Sequence, residues 1–212
     1  MNSSTKTFLK QMHIDVESVA EKLGSSDVKS SANEIESYIN IIGDAFLNGR
    51  CASGLEALIY DEFIVRESAM TSSAAAEVLD SIRHALSSFV SGGVTELYFY
   101  QENEVWYPKV VLTSTVDVSE IEDYPEFITV YRGCSKREFE SGNFKQSWST
   151  SIDVANEFAF GHYAHQPWFS VNERVIVKAI IPKHGIYLTR LDHHEREVVL
   201  NPDLLSHIEK CT

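Results

Sequence analysis

The chain has 212 residues and a mass of 23.9 kDa, room for one large domain or for a compact core with a helical extension. Hydrophobic residues make up 43% and aromatics 11%, which supplies a sizeable core and argues against a disordered chain. With 18 basic against 31 acidic side chains the net charge is −13, which argues against a broad surface for nucleic-acid phosphates but leaves room for a local basic groove.

Three widely spaced cysteines, Cys51, Cys134 and Cys211, form neither a disulfide framework nor a cysteine-based zinc site and suit a reducing compartment. The opening MNSSTKTFLKQMHIDVESVAEK holds no continuous apolar run of the kind a secretory signal needs. No stretch approaches the ~20 apolar residues of a membrane span. The expectation is a soluble, cytoplasmic protein with no membrane partner.

Residues 1–92 read as a helical N-terminal region. Ser31-Ala32-Asn33-Glu34 has the capping-box pattern, and Ile35, Ile39, Ile42 and Phe46 follow on one helical face up to a stop at Gly49. A second helix is expected from about Leu55 to Glu67. A third is expected from about Ser73 to Val90, with Val78, Ile82, Ala85 and Phe89 on one face and Gly92-Gly93 at its end. The polar run SSDVKSS (25–31) reads as a linker.

Residues 93–212 read as a strand-rich core. VTELYFYQ (94–101) and VWYPKVVLTSTV (105–116) are rich in β-branched and aromatic residues around the turn Glu102-Asn103-Glu104. FITVYRG (127–133) and SWSTS (147–151) read as strands, and IDVANEFAF (152–160) as a short helix that Ser151 or Asp153 caps. RVIVKAII (174–181) is an apolar strand stopped by Pro182. GIYLTRL and REVVLN are two more, around Asp192-His193-His194.

Three local features carry chemistry. Glu195 and Glu197, spaced i, i+2 at the head of an apolar strand, place two carboxylates on one face with Arg196 turned away. Cleavage of a glycosidic bond uses such a pair, one to stabilise an oxocarbenium-like sugar and one to handle the attacking group. The plain alternative is a solvated edge strand. Arg132, closing an apolar strand before Gly133, presents a planar fork suited to a pyrophosphate or ribose oxygen, and Gly133 allows a close approach; a surface arginine in a turn is the plain alternative. Ser149, Thr150 and Ser151 put three short hydroxyls at a strand end, where one can hold a carboxylate and another can simply cap the next helix.

Taken in order, VYRG…SWSTS…A..FAF…EREVVL over residues 127–201 resembles the mono-ADP-ribosyltransferase family, and within it the arginine–serine–glutamate branch of toxins and ectoenzymes. The resemblance implies an α+β fold with a transferase core of two short packed sheets behind the helical region. It implies NAD+ as substrate and no metal. Glu197 would be the central catalytic carboxylate, Glu195 the residue that positions or deprotonates the acceptor, and Ser149 the hydrogen-bond partner of Glu197. Arg132 would grip the NAD+ phosphate or ribose, with Tyr131, Gly133, Thr150, Ser151 and Phe158 lining or supporting the NAD+ site. The acceptor would be a macromolecule, protein arginine first and RNA or DNA second. A transferase of this kind fits an intracellular toxin or effector of a toxin–antitoxin, phage-defence or phage system, with an antitoxin or other neutralising protein docking on the N-terminal helices. A catalytically inactive transferase-fold interaction module is the alternative.

The chain departs from the family pattern in two places. Arg132 and Ser149 are only 17 residues apart with no long helix between them, and Glu197 lies 15 residues before the C-terminal residue. Parts of the usual sheet are expected either to be trimmed or to be supplied by strands at 94–118. The aromatic, polar loop GHYAHQPWFSVN (161–172) reads as a lid, an acceptor-recognition loop or a passive surface loop.

Rival chemistries are weaker. His162, His165, His184, His193 and His194, with Asp192, suggest a metal, but there is no His-Glu-x-x-His, and adjacent histidines on a strand face opposite ways. Cys134 has no identifiable activating histidine. No G-x-G-x-x-G or G-K-[ST] motif is present, so NAD+ would not sit in a Rossmann crevice.

Overall fold

The computed structural model describes residues 1–102, 105–117, 121–190 and 193–211, so Asn103, Glu104 and Asp192 of the readings above lie outside the described residues. The chain is a mixed α+β protein with a helical N-terminal region, and it divides into two compact units, Met1–Val111 and Leu112–Thr212. No helix among the described residues is long and apolar enough to cross a membrane.

The first unit contains α1 (Ser3–Gln11), α2 (Val16–Gly24), α3 (Ala32–Leu47), α4 (Ala52–Glu67) and α5 (Ser73–Phe99). The predicted apolar faces form its core: Ile35, Ile39 and Ile42 of α3 are fully buried, as are Val78, Ile82 and Ala85 of α5. The Phe46 and Phe89 rings meet tilted, with centroids 5.4 Å apart. Gly49, at φ 75°, ends α3 as expected. Two local readings change. Ser31 does not form a capping box, because its hydroxyl turns to Thr71, 2.9 Å from Oγ1, and accepts the Thr71 N–H. The run 25–31 is no linker either, since Val28 is fully buried.

The larger correction concerns residues 94–118. VTELYFYQ is helical through Phe99, continuing α5 past a break at Gly92 and Gly93, where Gly93 takes φ 68°. Its β propensity yields to packing, because Val94, Leu97 and Tyr98 are also spaced for one helical face and the latter two are buried. Residues 105–116 form no strand; Pro108 removes a donor, and Val110 makes only an isolated bridge to Ile14. That bridge keeps 109–111 with the helices, so the units part at 111/112 rather than at 92/93.

The second unit holds β1 (Phe127–Ser135), α6 (Lys136–Ser141), β2 (Ser147–Ser149), α7 (Ile152–Phe160), β3 (Arg174–Pro182), β4 (Ile186–Arg190), β5 (Glu197–Leu200) and β6 (Ser206–Cys211). The described strands pair antiparallel as one six-stranded sheet in the order β4-β5-β2-β1-β3-β6, not as two packed sheets. The sheet is nevertheless almost parted in the middle. β1 and β3 pair over nine residues, whereas β1 and β2 meet only at Tyr131 and Ser149. One face carries the core: Ile128, Val130 and Cys134 of β1, Trp148 of β2, Val175, Val177, Ala179 and Ile181 of β3, and Val198 and Leu200 of β5.

α7 lies against β1 so closely that glycine is required there. A Cβ on Gly133 would stand 2.3 Å from the Ala155 carbonyl oxygen and 2.4 Å from the Ala159 nitrogen. The space at Gly133 is therefore filled by a helix backbone, the close approach that a glycine permits. Because both obstacles are backbone atoms, Gly133→Ala should destabilise the protein by about 3 kcal/mol in urea unfolding, at the upper end for overpacking.

Candidate active site

Strand register assembles the site. Arg190 of β4, Glu197 of β5, Ser149 of β2, Tyr131 of β1, Lys178 of β3 and Glu209 of β6 are successive cross-strand partners. Paired residues share a face, so a row of polar side chains crosses all six strands on the side away from the apolar core. Glu197, Ser149 and Tyr131, three of the expected site residues, are neighbours in this row. Arg132 is not on that face: it pairs with the fully buried Val177 and falls in the core-facing series between Val130 and Cys134.

That position dictates its partners, because a guanidinium among apolar side chains needs a carboxylate. Arg132 Nε donates to Glu138 Oε1 at 2.8 Å, Nη2 to Glu138 Oε2 at 3.5 Å, and Nη1 to the Ser147 carbonyl. The last bond spans the gap between β1 and β2.

Glu197 Oε1 accepts a hydrogen bond from Ser147 Oγ at 2.5 Å. Ser147 is opposite Val199, so Glu197 reaches it diagonally along the strand. The expected bond from Ser149 is absent. Ser149, 5% exposed, donates instead to the Glu195 carbonyl at 2.7 Å and accepts the Ser151 N–H at 3.0 Å, while Thr150 N–H donates to the Arg196 carbonyl. These bonds tether the Glu195–Arg196 turn to the serine segment. Ser151 caps α7, its hydroxyl accepting from Val154 N–H. Thr150 Oγ1 is shielded from solvent and makes no hydrogen bond among the described residues.

Burial pushes the Glu197 carboxyl above the usual glutamate range; the Ser147 hydroxyl opposes this, the Glu195 charge adds to it, and Arg190 and Arg132 draw it back. Glu195 itself precedes the strand, since β5 starts at Glu197 and Arg196 adopts φ 46°. The two carboxylates are thus joined by a turn and not by strand alternation. The same turn brings His193 Nδ1 to 4.0 Å and His194 Nε2 to 3.8 Å from the Glu195 carboxylate. The two rings lie on one side, against the expectation for adjacent histidines, and with Glu195 they form a group whose ligand atoms lie within 4.8 Å and could hold a cation.

Phe158, at the end of α7, starts an aromatic run: it meets His162 at 5.0 Å, and Tyr163 and Trp168 follow at 4.6 and 5.4 Å along the loop. Trp168 is 63% exposed. Cys134 is no nucleophile, because burial pushes its thiol up to about 11.

Ser147, Glu138 and Arg190 were not singled out by sequence reasoning. A signal existed for one of them: Ser135-x-x-Glu138 is a capping-box pattern that marks α6. Ser147 and Arg190 are identified only by register.

The Glu197 shift has a consequence for stability. Its folded pKa lies above the unfolded value, so its contribution is fully present below the ordinary glutamate pKa of about 4.3 and is lost as pH rises through the folded pKa. Glu197→Gln should therefore raise the thermal midpoint at pH 7, with the gain fading toward pH 4; a midpoint lowered at pH 7 would contradict the burial of an ionised carboxylate.

Comparison with protein-family models, with curated proteins and with solved structures gives no match, so the functional reading rests on these residues and their geometry.

Proposed function

We propose that this chain is a mono-ADP-ribosyltransferase that splits NAD+ between nicotinamide and ribose and passes ADP-ribose to a macromolecular acceptor. The observation that carries the reading is Glu197: a largely buried carboxylate, held by a serine hydroxyl at the parted centre of a sheet, with a second carboxylate two residues away. The resemblance over residues 127–201 supplies the reaction class. The hydrogen-bonded geometry supplies roles for the residues.

In this mechanism the ionised Glu197 stabilises positive charge on the ribose as nicotinamide leaves with the bonding electron pair. The acceptor attacks the anomeric carbon and gives its proton to Glu195, which is half-buried and sits on the tethered turn. Ser147 fixes Glu197, and Ser149 fixes the turn. Arg132 rises from the core-facing side, but its guanidinium reaches the gap between β1 and β2, where its N–H donors beyond the bonds to Glu138 and Ser147 would meet a phosphate or ribose oxygen; the solitary Thr150 hydroxyl is a further group for the ligand to satisfy. Tyr131 borders Ser149 in the polar row, and Phe158 leads into the aromatic loop, where rings are available for stacking. Water in place of an acceptor gives slow NAD+ hydrolysis.

A charge of −13 favours a basic protein acceptor, with arginine first, over extended contact with RNA or DNA. The biological setting proposed is an intracellular toxin or effector of a toxin–antitoxin, phage-defence or phage system, restrained by a partner on the N-terminal helices.

Nicotinamide release from NAD+, followed by chromatography, tests the chemistry. Glu197→Gln should lower turnover by about 100-fold or more, and Ser147→Ala by about tenfold. Wild-type turnover in Glu197→Gln sinks the assignment; a wild-type protein that binds NAD+ without cleaving it is an interaction module. Labelled NAD+ in a cell lysate, with and without nuclease, separates a protein acceptor from a nucleic acid.

A further inference from the structure

Glu138 stands at the end of a hydrogen-bonded line that leads to Glu197. It lies in the first turn of α6, where Ser135 Oγ accepts its N–H at 3.1 Å. In a capping box the glutamate side chain would return to the N-cap N–H. Here it turns to Arg132 instead and also accepts the Lys145 N–H at 3.1 Å, so one carboxylate ties the β1 strand, the helix and the approach to β2 together. The side chains of Arg132 and Glu138 are 14% and 16% exposed. From Arg132 the line passes to the Ser147 carbonyl, and the hydroxyl of that same serine holds Glu197. Four residues from α6, β1, β2 and β5 are joined in series.

Each bond sets the next. The fork of Glu138 fixes the plane of the guanidinium, because two donors of one rigid group are engaged together. A fixed guanidinium aims its remaining donors in one direction and pins the Ser147 carbonyl across the gap between β1 and β2. The position of Ser147 in turn sets where Oγ delivers its hydrogen bond. Without the carboxylate, Arg132 would be a mostly buried cation with no neutralising partner and would swing toward solvent.

We propose that Glu138 is a positioning residue that orients Arg132 for NAD+ and, through Ser147, holds the Glu197 carboxylate. This rests on the transferase reading given above. Binding of the dinucleotide and cleavage of its glycosidic bond then share one network, entered from α6.

The test measures nicotinamide release against NAD+ concentration for full-length wild type, Glu138→Ala, Glu138→Gln and Ser147→Ala, and for the Glu138→Ala/Ser147→Ala double variant, with thermal unfolding of each. Glu138→Ala should raise KM about tenfold or more and lower kcat by a smaller factor. Glu138→Gln, which keeps an acceptor for Arg132 Nε, should raise KM about threefold. In the Ser147→Ala background the effect of Glu138→Ala on kcat should vanish while its effect on KM persists, a split that loss of fold stability does not produce. A folded Glu138→Ala protein with wild-type KM and kcat overturns the inference. If that variant does not fold, Glu138→Gln at wild-type KM overturns it. A wild-type protein that releases no nicotinamide overturns the transferase reading and this one together, whereas an active wild type with unaltered Glu138 variants overturns this one alone.

Discussion

Where β1 and β2 stop exchanging backbone hydrogen bonds, the guanidinium of Arg132 takes the Ser147 carbonyl and is itself neutralised by Glu138. Strand alternation forces this arrangement. Arg132 occupies a position that Val130 and Cys134 fill with apolar groups on either side, and it pairs with the fully buried Val177. A cation there needs a carboxylate close by, because desolvation of an isolated charge costs several kcal/mol. The short helix α6 exists at the right place to bring one. β2, only three residues long, is held on one side by β5 and on the other by a single residue pair and one side chain.

The same gap explains the character of Glu197. A continuous ladder would bury the middle of β2 under regular neighbours. At the parted centre a polar row runs through Glu197, Ser149 and Tyr131, with Arg190 and Lys178 to either side. Burial raises the Glu197 pKa while the Ser147 hydroxyl and two arginines pull it down, and burial wins. The Glu197 carboxylate thus combines burial that disfavours its charge with a serine hydrogen bond that favours it. The turn that carries Glu195 is tied down by Ser149, so the two carboxylates are held by two different serines.

Much of the fold was legible in the sequence. Ile35, Ile39 and Ile42 repeat at helical spacing and are buried, and the alternation in RVIVKAII gives four buried residues on one face of β3. VTELYFYQ was misleading because its β-branched and aromatic residues also fit a helical face, and a partner surface in the helical unit decided between the two. The strand β6 carries weaker alternation than the rest; its residues are largely exposed, so little hydrophobic pattern marks it. For the site, the residue types were legible and their pairings were not. Ser149 and Ser147 are indistinguishable by type, and only the register Ser149↔Glu197 with Ser147↔Val199 shows which hydroxyl reaches the carboxylate.

By itself the sequence determined the helical first half, the strands that carry Arg132, Ser149 and Glu197, and the proximity in sequence of Glu195 and Glu197. Those follow from local periodicity and turn chemistry, which need no distant partner. Tertiary structure alone decided that Arg132 faces the core and answers to Glu138, that Gly133 makes room for α7, and that Ser147 holds Glu197. Each of these depends on strand register or on helix placement between residues far apart in the chain. A shift of one residue would turn every side chain to the opposite face.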